Sequence, residues 1–185
     1  SGAGWGAGTW GRGTWGSASS DAIVTSTLRL WSHDNFGEDL LINVRDGGIY
    51  YWDETNTVSS RAVDITSLAG SDSAPTIAKQ VLVSDRDRHV IAFGCDTEAN
   101  PGVQDPLAIR FSDQESLTDW RTQTTNTAGE LRLGSGSEIV TALETRQQIL
   151  VFTDTTLYSM QFLGPPFTFG VNALSENITV AGPNA

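Results

Sequence analysis

Short runs of β-branched and aromatic residues, separated by clusters of Gly, Asp, Asn and Ser, recur along the chain from residue 22 onward. This pattern is typical of an all-β domain, and no long stretch has the 3.6-residue periodicity of an amphipathic helix. The candidate strands are TLRLW, LLINVR, IYYWD, AVDI, KQVLVS, HVIAFG, LAIRFS, ELRLG, EIVTALE, QILVFT and TLYSMQF, and the final ENITVAGPNA also has strand composition. Gly47, Gly48 and the polar residues around Arg86, Arg146 and Asp154 predict tight turns, so consecutive strands should pair antiparallel.

Several of these predicted strands are apolar on both faces. Leu40 and Ile42 point to one side of their strand and Leu41 to the other, and residues 149–152 alternate between two apolar faces in the same way. An antiparallel sheet with one face in water shows polar residues at alternate positions instead. We therefore expect the sheets to be covered on both faces.

The candidate strands group into three units, 22–65, 79–133 and 138–185. A unit length of about 45 to 55 residues matches the blades of a β-propeller, whose stacking buries both faces of each sheet. The units share a strand pattern and not a sequence motif, and a β-sandwich is the alternative with a similar succession of strands. We predict an all-β fold of antiparallel meander blades, with a β-propeller-like domain over residues 21–185 that is part of a longer chain. A Gly- and Trp-rich arm or loop precedes it at 1–20.

The balance of charge argues against tight binding to nucleic acid. Acidic residues number 22 and basic residues 11, which gives a formal charge of −11 at pH 7. Such a surface repels phosphate and lacks the Lys and Arg contacts that dominate nucleic-acid affinity. No apolar run is long enough to span a membrane, so no membrane partner is expected. The single cysteine, Cys95, follows the apolar HVIAFG and is expected to be a buried, unreactive thiol.

The segment FSDQESLTDW gathers acidic and hydroxyl residues beside a tryptophan. It resembles the Asp-box turn of sialidase-like β-propellers, in which an aspartate and a serine hold a hairpin and a tryptophan packs beneath it. The resemblance implies a structural turn built from Ser112, Asp113, Thr118 and Trp120, with Ser116 near the place of the usual glycine. A Ca²⁺ site made from the same carboxylates is the alternative, although the D-x-D-x-D-G pattern of a calcium loop is absent.

A second acidic cluster, SHDNFGEDL, contains His33, Asp34, Glu38 and Asp39 and is predicted to be a solvated loop between strands. Paired carboxylates carry out glycoside hydrolysis, so this cluster is the alternative candidate for acid–base chemistry. A zinc site is not expected, because the chain has only two histidines and no second His or Cys at a ligand spacing. Nucleophile-elbow and phosphate-loop motifs are absent. We predict no catalytic residue, no metal and no cofactor.

Three of the six tryptophans recur every fifth residue among seven glycines at the start of the sequence: Trp5, Trp10 and Trp15. A glycine-rich strip loses much entropy on ordering, and large aromatic side chains are the residues that can anchor it to a surface. We predict that these three are interface residues that fasten the strip to a neighbouring subunit. The alternative is a loop folded back onto its own domain. The remaining tryptophans are expected in the core or in turns: Trp31, Trp52 and Trp120.

Longer stretches of the chain carry a family resemblance. LRLWSHDNFGEDLLINVRDGGIYYWD, DPLAIRFSDQESLTDW and AGELRLGSGSEIVTALETRQQILVFTDTTLYSMQF resemble structural proteins encoded among the tail genes of tailed bacteriophages. More remotely, QILVFTDTTLYSMQFLG and the later ITVAGPNA are similar in layout to the tail hub, or packaged-DNA stabilisation, proteins of short-tailed phages. The resemblance covers residues 22–185 and implies a β-propeller that rings the DNA exit channel below the portal. Three blades are visible, whereas a closed propeller has at least about four.

The resemblance implies a non-enzymatic virion protein that forms a ring or hub near the head–tail junction and retains or guides the genome. Its partners would be copies of itself in a ring, neighbouring tail or head-closure proteins, and genomic DNA in passing contact without tight binding. One alternative is a carbohydrate-binding or glycosidase-like receptor-directed tail protein that uses Asp34, Glu38 and Asp113. Another is a baseplate or adaptor subunit on a sandwich fold.

Overall fold

The computed structural model describes residues 29–184, and within this range the chain is built from β-strands without an α-helix. The strands are β1 (Trp31–Phe36), β2 (Asp39–Val44), β3 (Ile49–Trp52), β4 (Val63–Asp64), β5 (Gln80–Val83), β6 (Val90–Phe93), β7 (Ala108–Phe111), β8 (Gly129–Arg132), β9 (Ile139–Glu144), β10 (Ile149–Thr153), β11 (Thr156–Gly164) and β12 (Thr168–Glu176). One turn of 3₁₀ helix, Ile65–Ser67, follows β4. No helix in the described range could span a membrane.

The strands form three four-stranded antiparallel sheets, and each sheet is a simple meander in chain order. Sheet 1 contains β1 to β4, sheet 2 contains β5 to β8, and sheet 3 contains β9 to β12. The predicted all-β class with antiparallel meanders is confirmed, and the three sheets fall within the three predicted units. The sheets do not close into a barrel over residues 29–184, and their arrangement fits both a propeller-like and a sandwich-like architecture.

The first hairpin differs from the sequence-based expectation. Strand β1 begins at Trp31 and runs through the acidic segment that was predicted to be a loop. Only Gly37 and Glu38 lie between β1 and β2, and Gly37 has a φ of 73°. A glycine with positive φ at the first central position is typical of a two-residue hairpin turn of type II′. The loop prediction was wrong because β1 is an edge strand, and its polar side chains, among them His33 and Asp34, point to alternate faces of the sheet.

The last strand was also missed by the sequence analysis. Strand β12 contains Gly170, Asn172 and Ala173, residues that favour strands weakly. It forms because nine-residue β11 pairs with it antiparallel along its length, with two shifts of register. By contrast, residues 177–184, where a strand was expected, contain none. Pairing with a neighbour therefore decides strand formation at this end of the chain more than local composition does.

Sheet 2 lies between sheets 1 and 3 and is buried on both faces. Alternate side chains of its strands enter two separate cores. Towards sheet 1 point Val81, Val83, Val90, Ala92 and Ala108, which pack with Leu41, Ile49 and Ile65. Towards sheet 3 point Ile91, Phe93, Ile109 and Phe111, which pack with Ile139, Ile149, Val151 and Met160. The expectation that sheets are covered on both faces is confirmed for sheet 2.

Sheets 1 and 3 are covered on one face only by the other sheets of residues 29–184. Leu41 of sheet 1 is fully buried, whereas Leu40 and Ile42 on the opposite face are half-buried. In sheet 3, Leu143 on the face that points away from sheet 2 is 57% exposed. The same apolar pattern thus has different consequences in different sheets, because sheet 2 alone has two neighbouring sheets within residues 29–184.

The central position of sheet 2 predicts where the fold is most sensitive to a cavity. Ile109 is fully buried, so Ile109→Ala removes a side chain from the core between sheets 2 and 3 and is expected to lower the free energy of unfolding by about 2 to 5 kcal/mol. Val58 is 95% exposed, and Val58→Ala is the control, with an expected change within about 0.5 kcal/mol. Urea unfolding of both variants measures the difference, and equal losses would contradict the layered core.

Candidate functional site

The first strands of the three sheets, β1, β5 and β9, are edge strands that lie next to one another. We call them the first-strand row. The last strands, β4, β8 and β12, form no such row within the described residues. The sheets are therefore closest along one edge, and this edge is where side chains of all three sheets can meet.

Side chains of β1 satisfy the free edge of β5. The backbone N–H of Val81 donates to Ser32 Oγ at 3.2 Å, and the backbone N–H of Val83 donates to Asp34 Oδ2 at 2.8 Å. An unpaired strand edge would otherwise leave these donors open to pairing with another chain. Asp34, predicted as a candidate acid or base, is thus engaged in holding sheet 1 against sheet 2.

Gln80 of β5 makes the equivalent connection to β9. Its Nε2 donates to the backbone carbonyl of Ala142 at 2.7 Å, and its Oε1 accepts from the backbone N–H of Ala142 at 2.8 Å. The Thr141 hydroxyl also donates to Gln80 Oε1 at 3.1 Å. The amide of Gln80 therefore pairs with β9 as a neighbouring strand would, and it fixes sheet 3 relative to sheet 2.

At one end of the row, ionic contacts join the three sheets. Lys79 Nζ lies 2.7 Å from Glu138 Oε2 and 3.4 Å from Asp46 Oδ1, and the lysine side chain is only 10% exposed. Arg45 Nη1 donates to the backbone carbonyl of Val140 at 3.0 Å. A cavity of about 220 Å³ opens beside these groups and is lined by side chains that include Trp31, His33, Arg45, Lys79, Gln80 and Pro183. No carboxylate lines this cavity, so it offers hydrogen-bond donors and an indole ring but no acid–base pair.

At the other end of the row, three carboxylates come from three different sheets or their turns. Asp34 belongs to β1, Asp85 follows β5, and Glu144 ends β9. The backbone N–H of Asp85 donates to Glu144 Oε1 at 3.0 Å. Burial raises the pKa of Glu144, and the charges of Asp85 and Asp34 raise it further against the lowering effect of this hydrogen bond. Arg86 and Arg146 line a cavity of about 50 Å³ together with Glu144 and Asp87, so charges of both signs meet at this end.

The predicted catalytic alternative does not form one constellation. Asp34 is held by β5, Glu38 lies in the β1–β2 turn, and Asp113 belongs to the connection after β7, with no hydrogen bond between them. Asp39 accepts from the Tyr51 hydroxyl at 2.6 Å and from the backbone N–H of Glu54 at 3.0 Å, and these bonds lower its pKa. Among the described residues, no group of three or more His, Cys, Asp or Glu is placed to hold a metal ion.

The residues predicted as a structural turn lie together after β7. Asp113 Oδ1 accepts from the backbone N–H of Thr127 at 2.8 Å and from its hydroxyl at 2.6 Å. The Ser112 hydroxyl accepts from the backbone N–H of Val90 at 2.9 Å and donates to the carbonyl of Asp113 at 3.0 Å. Burial alone would raise the pKa of Asp113, but the hydrogen bonds from Thr127 outweigh burial and lower it.

The tryptophan of this segment is buried and hydrogen-bonded within the turn. Trp120 is 1% exposed, and its Nε1 donates to the backbone carbonyl of Leu117 at 2.9 Å. Thr118 contributes through its backbone, since its N–H donates to Ser116 Oγ at 3.3 Å and its carbonyl accepts from the N–H of Asp72 at 2.8 Å. Ser116 thus supplies a hydroxyl where the related turn has a glycine. All these groups are engaged in holding the connection.

The tryptophans are placed in three different ways. Trp5, Trp10 and Trp15 lie outside the described residues. Trp120 is in the core, as expected, and half-buried Trp52 donates from Nε1 to the backbone carbonyl of Ser60 at 3.2 Å. The expectation for Trp31 was wrong, because this residue begins β1 on the face away from sheet 2 and is 55% exposed.

Buried polar residues that the sequence analysis did not single out hold the long connections. Arg110 is 2% exposed, and its guanidinium donates to the backbone carbonyls of Ser73 at 2.5 Å and of Trp120 at 3.2 Å. The sequence indicates this role of Arg110, since a charged residue inside the apolar run LAIRFS must find hydrogen-bond partners if the strand is buried. Cys95 is buried, as expected, and burial raises the pKa of its thiol to about 12.

His89 is a buried group with a defined tautomer. The Thr127 hydroxyl donates to Asp113, so it accepts from His89 Nε2–H at 3.0 Å, and the proton of the neutral ring lies on Nε2. Nδ1 has no hydrogen-bond partner among the described residues. The rings of Phe162 and Phe169 pack at 5.9 and 5.2 Å from the imidazole. Burial lowers the pKa of His89, although the nearby charges of Asp87 and Asp113 act in the opposite direction.

The chain matches no protein-family model, and no curated protein is significantly similar to it. Function is therefore inferred from the geometry together with the family resemblance.

Because the pKa of His89 is lowered, the free energy of unfolding should decrease as the pH falls. The unfolded histidine takes up a proton near pH 6.5 while the folded one stays neutral, so stability is full above this pH and falls as the pH is lowered through it. We expect urea unfolding to show a loss between about pH 7.5 and 5.5. His89→Gln should remove this slope, and His33→Gln, at an exposed histidine, should retain it.

The carboxylates with shifted pKa values act mainly at lower pH. Asp39 and Asp113, with lowered pKa values, lose their contribution as the pH falls below about 4, and Glu144, with a raised pKa, has the opposite sign. A slope above about pH 5.5 that survives in His89→Gln would show that His89 is not its source.

Proposed function

We propose that this protein is a structural component of a bacteriophage tail, which forms a ring or hub near the head–tail junction and retains or guides the genome. The observation that carries the proposal is the first-strand row, in which one edge strand from each of three meander sheets meets its neighbours. In a β-propeller, four-stranded sheets are arranged around a central channel in this way. The row, with the last strands apart, favours the propeller-like alternative over the sandwich.

Charge along the row supports a passage for DNA that does not hold it. The chain as a whole has a formal charge of −11. At one end of the row, Asp34, Asp85 and Glu144 outnumber the two arginines that line the cavity beside Glu144, Arg86 and Arg146. Lys79 at the other end is neutralised by Glu138 and Asp46. A surface of this kind repels phosphate instead of releasing counterions from it. Genomic DNA can therefore pass close to the row without being bound tightly.

The use of the polar side chains also supports a structural role. Asp34, Asp113 and Gln80 are fully engaged in joining sheets or holding a connection. The proposed protein is not an enzyme and carries no cofactor or metal. Its partners are copies of itself in a ring and neighbouring tail or head-closure proteins, and Trp5, Trp10 and Trp15 are proposed to anchor the glycine-rich segment to one of them.

Reconstruction of intact phage particles by cryo-electron microscopy tests this proposal. We expect density for the protein as a ring around the tail axis, with the first-strand row facing the channel. Combined replacement of Trp5, Trp10 and Trp15 by Ser should lower the number of copies per particle, because aromatic anchors dominate interface energetics. The control is Thr9→Ser with Thr14→Ser in the same segment. Density at a distal fibre or spike would contradict the hub.

Glu144 supports a second candidate function. A carboxylate with a raised pKa near two other carboxylates is the arrangement of a general acid in glycoside hydrolysis. This feature favours the alternative of a glycosidase-like, receptor-directed tail protein. If Glu144 were that acid, the protein would hydrolyse aryl glycosides, and Glu144→Gln would abolish release of the phenol while the exposed Glu54→Gln would retain it. We expect no release from the wild-type protein, since Glu144 already accepts from Asp85 and the cavity that Glu144 lines with Asp87 has a volume of only about 50 Å³.

A further inference from the structure

The turn between β11 and β12 carries a group of exposed apolar side chains. We call residues 163–167 the hairpin tip. Leu163 is 60% exposed and Phe167 is 73% exposed, and Pro165 and Pro166 between them are exposed as well. Single exposed apolar residues are common on protein surfaces, whereas a contiguous group of them marks an interaction site. The hairpin tip is therefore a candidate interaction surface.

The hairpin that carries the tip is the longest part of the chain without a charged side chain. Residues 155–175 contain no Asp, Glu, Lys, Arg or His. The chain as a whole has a formal charge of −11, so most of its surface repels other acidic molecules. A partner that meets the hairpin tip is thus bound by burial of apolar area and not by ion pairs with the hairpin.

The hairpin tip is held by an aromatic base that belongs to the core. Phe162 and Phe169 are cross-strand partners next to the tip. Phe169 is 3% exposed, and its ring packs 5.0 Å from the ring of Phe111 in β7. A Cβ at Gly170 would lie 2.6 Å from Leu163 Cδ1, so this glycine leaves the room that the leucine occupies. The exposed position of the tip is therefore fixed by packing.

The hairpin tip also extends past the third strand of its sheet. The last pair between β10 and β11 joins Ile149 to Met160, and β11 continues from there to Gly164. At about 3.4 Å per residue, Leu163 lies about 10 Å along the strand beyond this pair. The tip is thus a projection two strands wide. A projection of this shape buries its apolar side chains on all sides when it enters a soft layer.

The backbone of the hairpin tip has few groups that need water. Pro165 and Pro166 have no N–H, and the N–H of Phe167 donates to the carbonyl of Gly164 at 3.2 Å. An unpaired backbone donor is costly to move into lipid, because no water is present there to accept its hydrogen bond. A pocket in another protein can supply polar partners and does not require this economy of donors. The backbone therefore favours a lipid layer as the partner.

Charges of both signs lie at the base of the hairpin. The cavity of about 50 Å³ beside the aromatic base is lined by two arginines and two carboxylates: Arg86, Arg146, Asp87 and Glu144. A zwitterionic lipid headgroup has a phosphate that suits the arginines and an ammonium group that suits the carboxylates. An anionic membrane surface would instead be repelled by the charge of −11 on the chain. The charges therefore select a zwitterionic surface.

We propose that the hairpin tip inserts into the surface of a zwitterionic lipid bilayer. Leu163 and Phe167 enter the boundary between headgroups and acyl chains, and the charged turns at the base stay among the headgroups. Interfacial segments bury their apolar side chains about 5 to 10 Å deep, which agrees with the length of the projection. The sequence-based expectation of no membrane partner considered spanning segments, and insertion of a tip requires none. The inference does not depend on the proposed position in a phage tail.

A fluorescent label on the hairpin tip tests insertion directly. Cys95 is fully buried, so a cysteine introduced by Pro166→Cys can be labelled alone with an environment-sensitive nitrobenzoxadiazole group. Val103→Cys carries the control label, because Val103 is 67% exposed and follows β6 at the opposite end of the strands. We expect phosphatidylcholine vesicles to raise and blue-shift the emission at 166 and to leave the emission at 103 unchanged.

Removal of apolar side chains tests which surface binds. Leu163→Ser with Phe167→Ser should lower the vesicle-bound fraction in flotation at least about tenfold, because binding scales with the buried apolar area. Leu174→Ser with Val103→Ser removes two exposed apolar side chains away from the tip and should bind as the wild type does. Circular dichroism and urea unfolding verify that both variants are folded. Adding phosphatidylserine to the vesicles should weaken binding of the wild type.

Several results would overturn the inference. No binding of the wild type at millimolar lipid, or equal binding by the variant without Leu163 and Phe167, would mean that the hairpin tip does not enter a bilayer. An equal change in emission at 103 would mean adsorption without a preferred end. Stronger binding to anionic vesicles would reject the zwitterionic surface. A tip that binds no vesicles and is buried against a neighbouring protein in phage particles would be a protein contact.

The inference and the proposed function fail separately. Vesicle binding by the hairpin tip does not decide where the protein lies in a phage particle. Absence of the protein from the tail axis would reject the proposed hub and leave vesicle binding unchanged.

Discussion

Burial of both faces of sheet 2 is the constraint on which the rest of this structure depends. Strands of this sheet send alternate side chains into two cores, one shared with sheet 1 and one with sheet 3. Neither outer sheet has a two-sided core of its own within residues 29–184, so each is stabilised by the central sheet. The order of the sheets in space is the same as their order along the chain, since the middle unit of the sequence forms the middle layer.

Polar side chains fix the position of the sheets relative to one another, which apolar burial alone does not determine. The two cores hold the sheets together, but an apolar interface alone allows sheets to slide and rotate against one another. Ser32 and Asp34 fix β5, and Gln80 fixes β9, through hydrogen bonds to strand edges. The first-strand row is therefore a consequence of three polar side chains acting on backbone groups that no strand pairs with.

The sequence predicts the class and grouping of strands because both depend on local pattern: β-branched runs, turn residues and their spacing. It does not predict the row, since Gln80 and Ala142 meet only through tertiary packing. The acidic segment of β1 was misinterpreted for the same reason. Asp34 and Asp39 have the composition of a loop, and only the neighbouring strands show that one caps an edge and the other accepts from Tyr51. Thr127, which links His89 to Asp113, has no sequence signal at all.

The two-sided core of sheet 2 also bears on how the chain selects its strand alignment. In a sheet with one face in water, a shift of one residue moves apolar side chains into solvent, so hydrophobicity alone enforces the alignment. Sheet 2 lacks this safeguard, because a shifted strand would still present apolar residues to both cores. The information that defines its alignment lies instead in the few polar residues that fit only one position, such as Gln80, Arg110 and Ser112. Substitutions at these sites would therefore affect the accuracy of folding as well as its free energy.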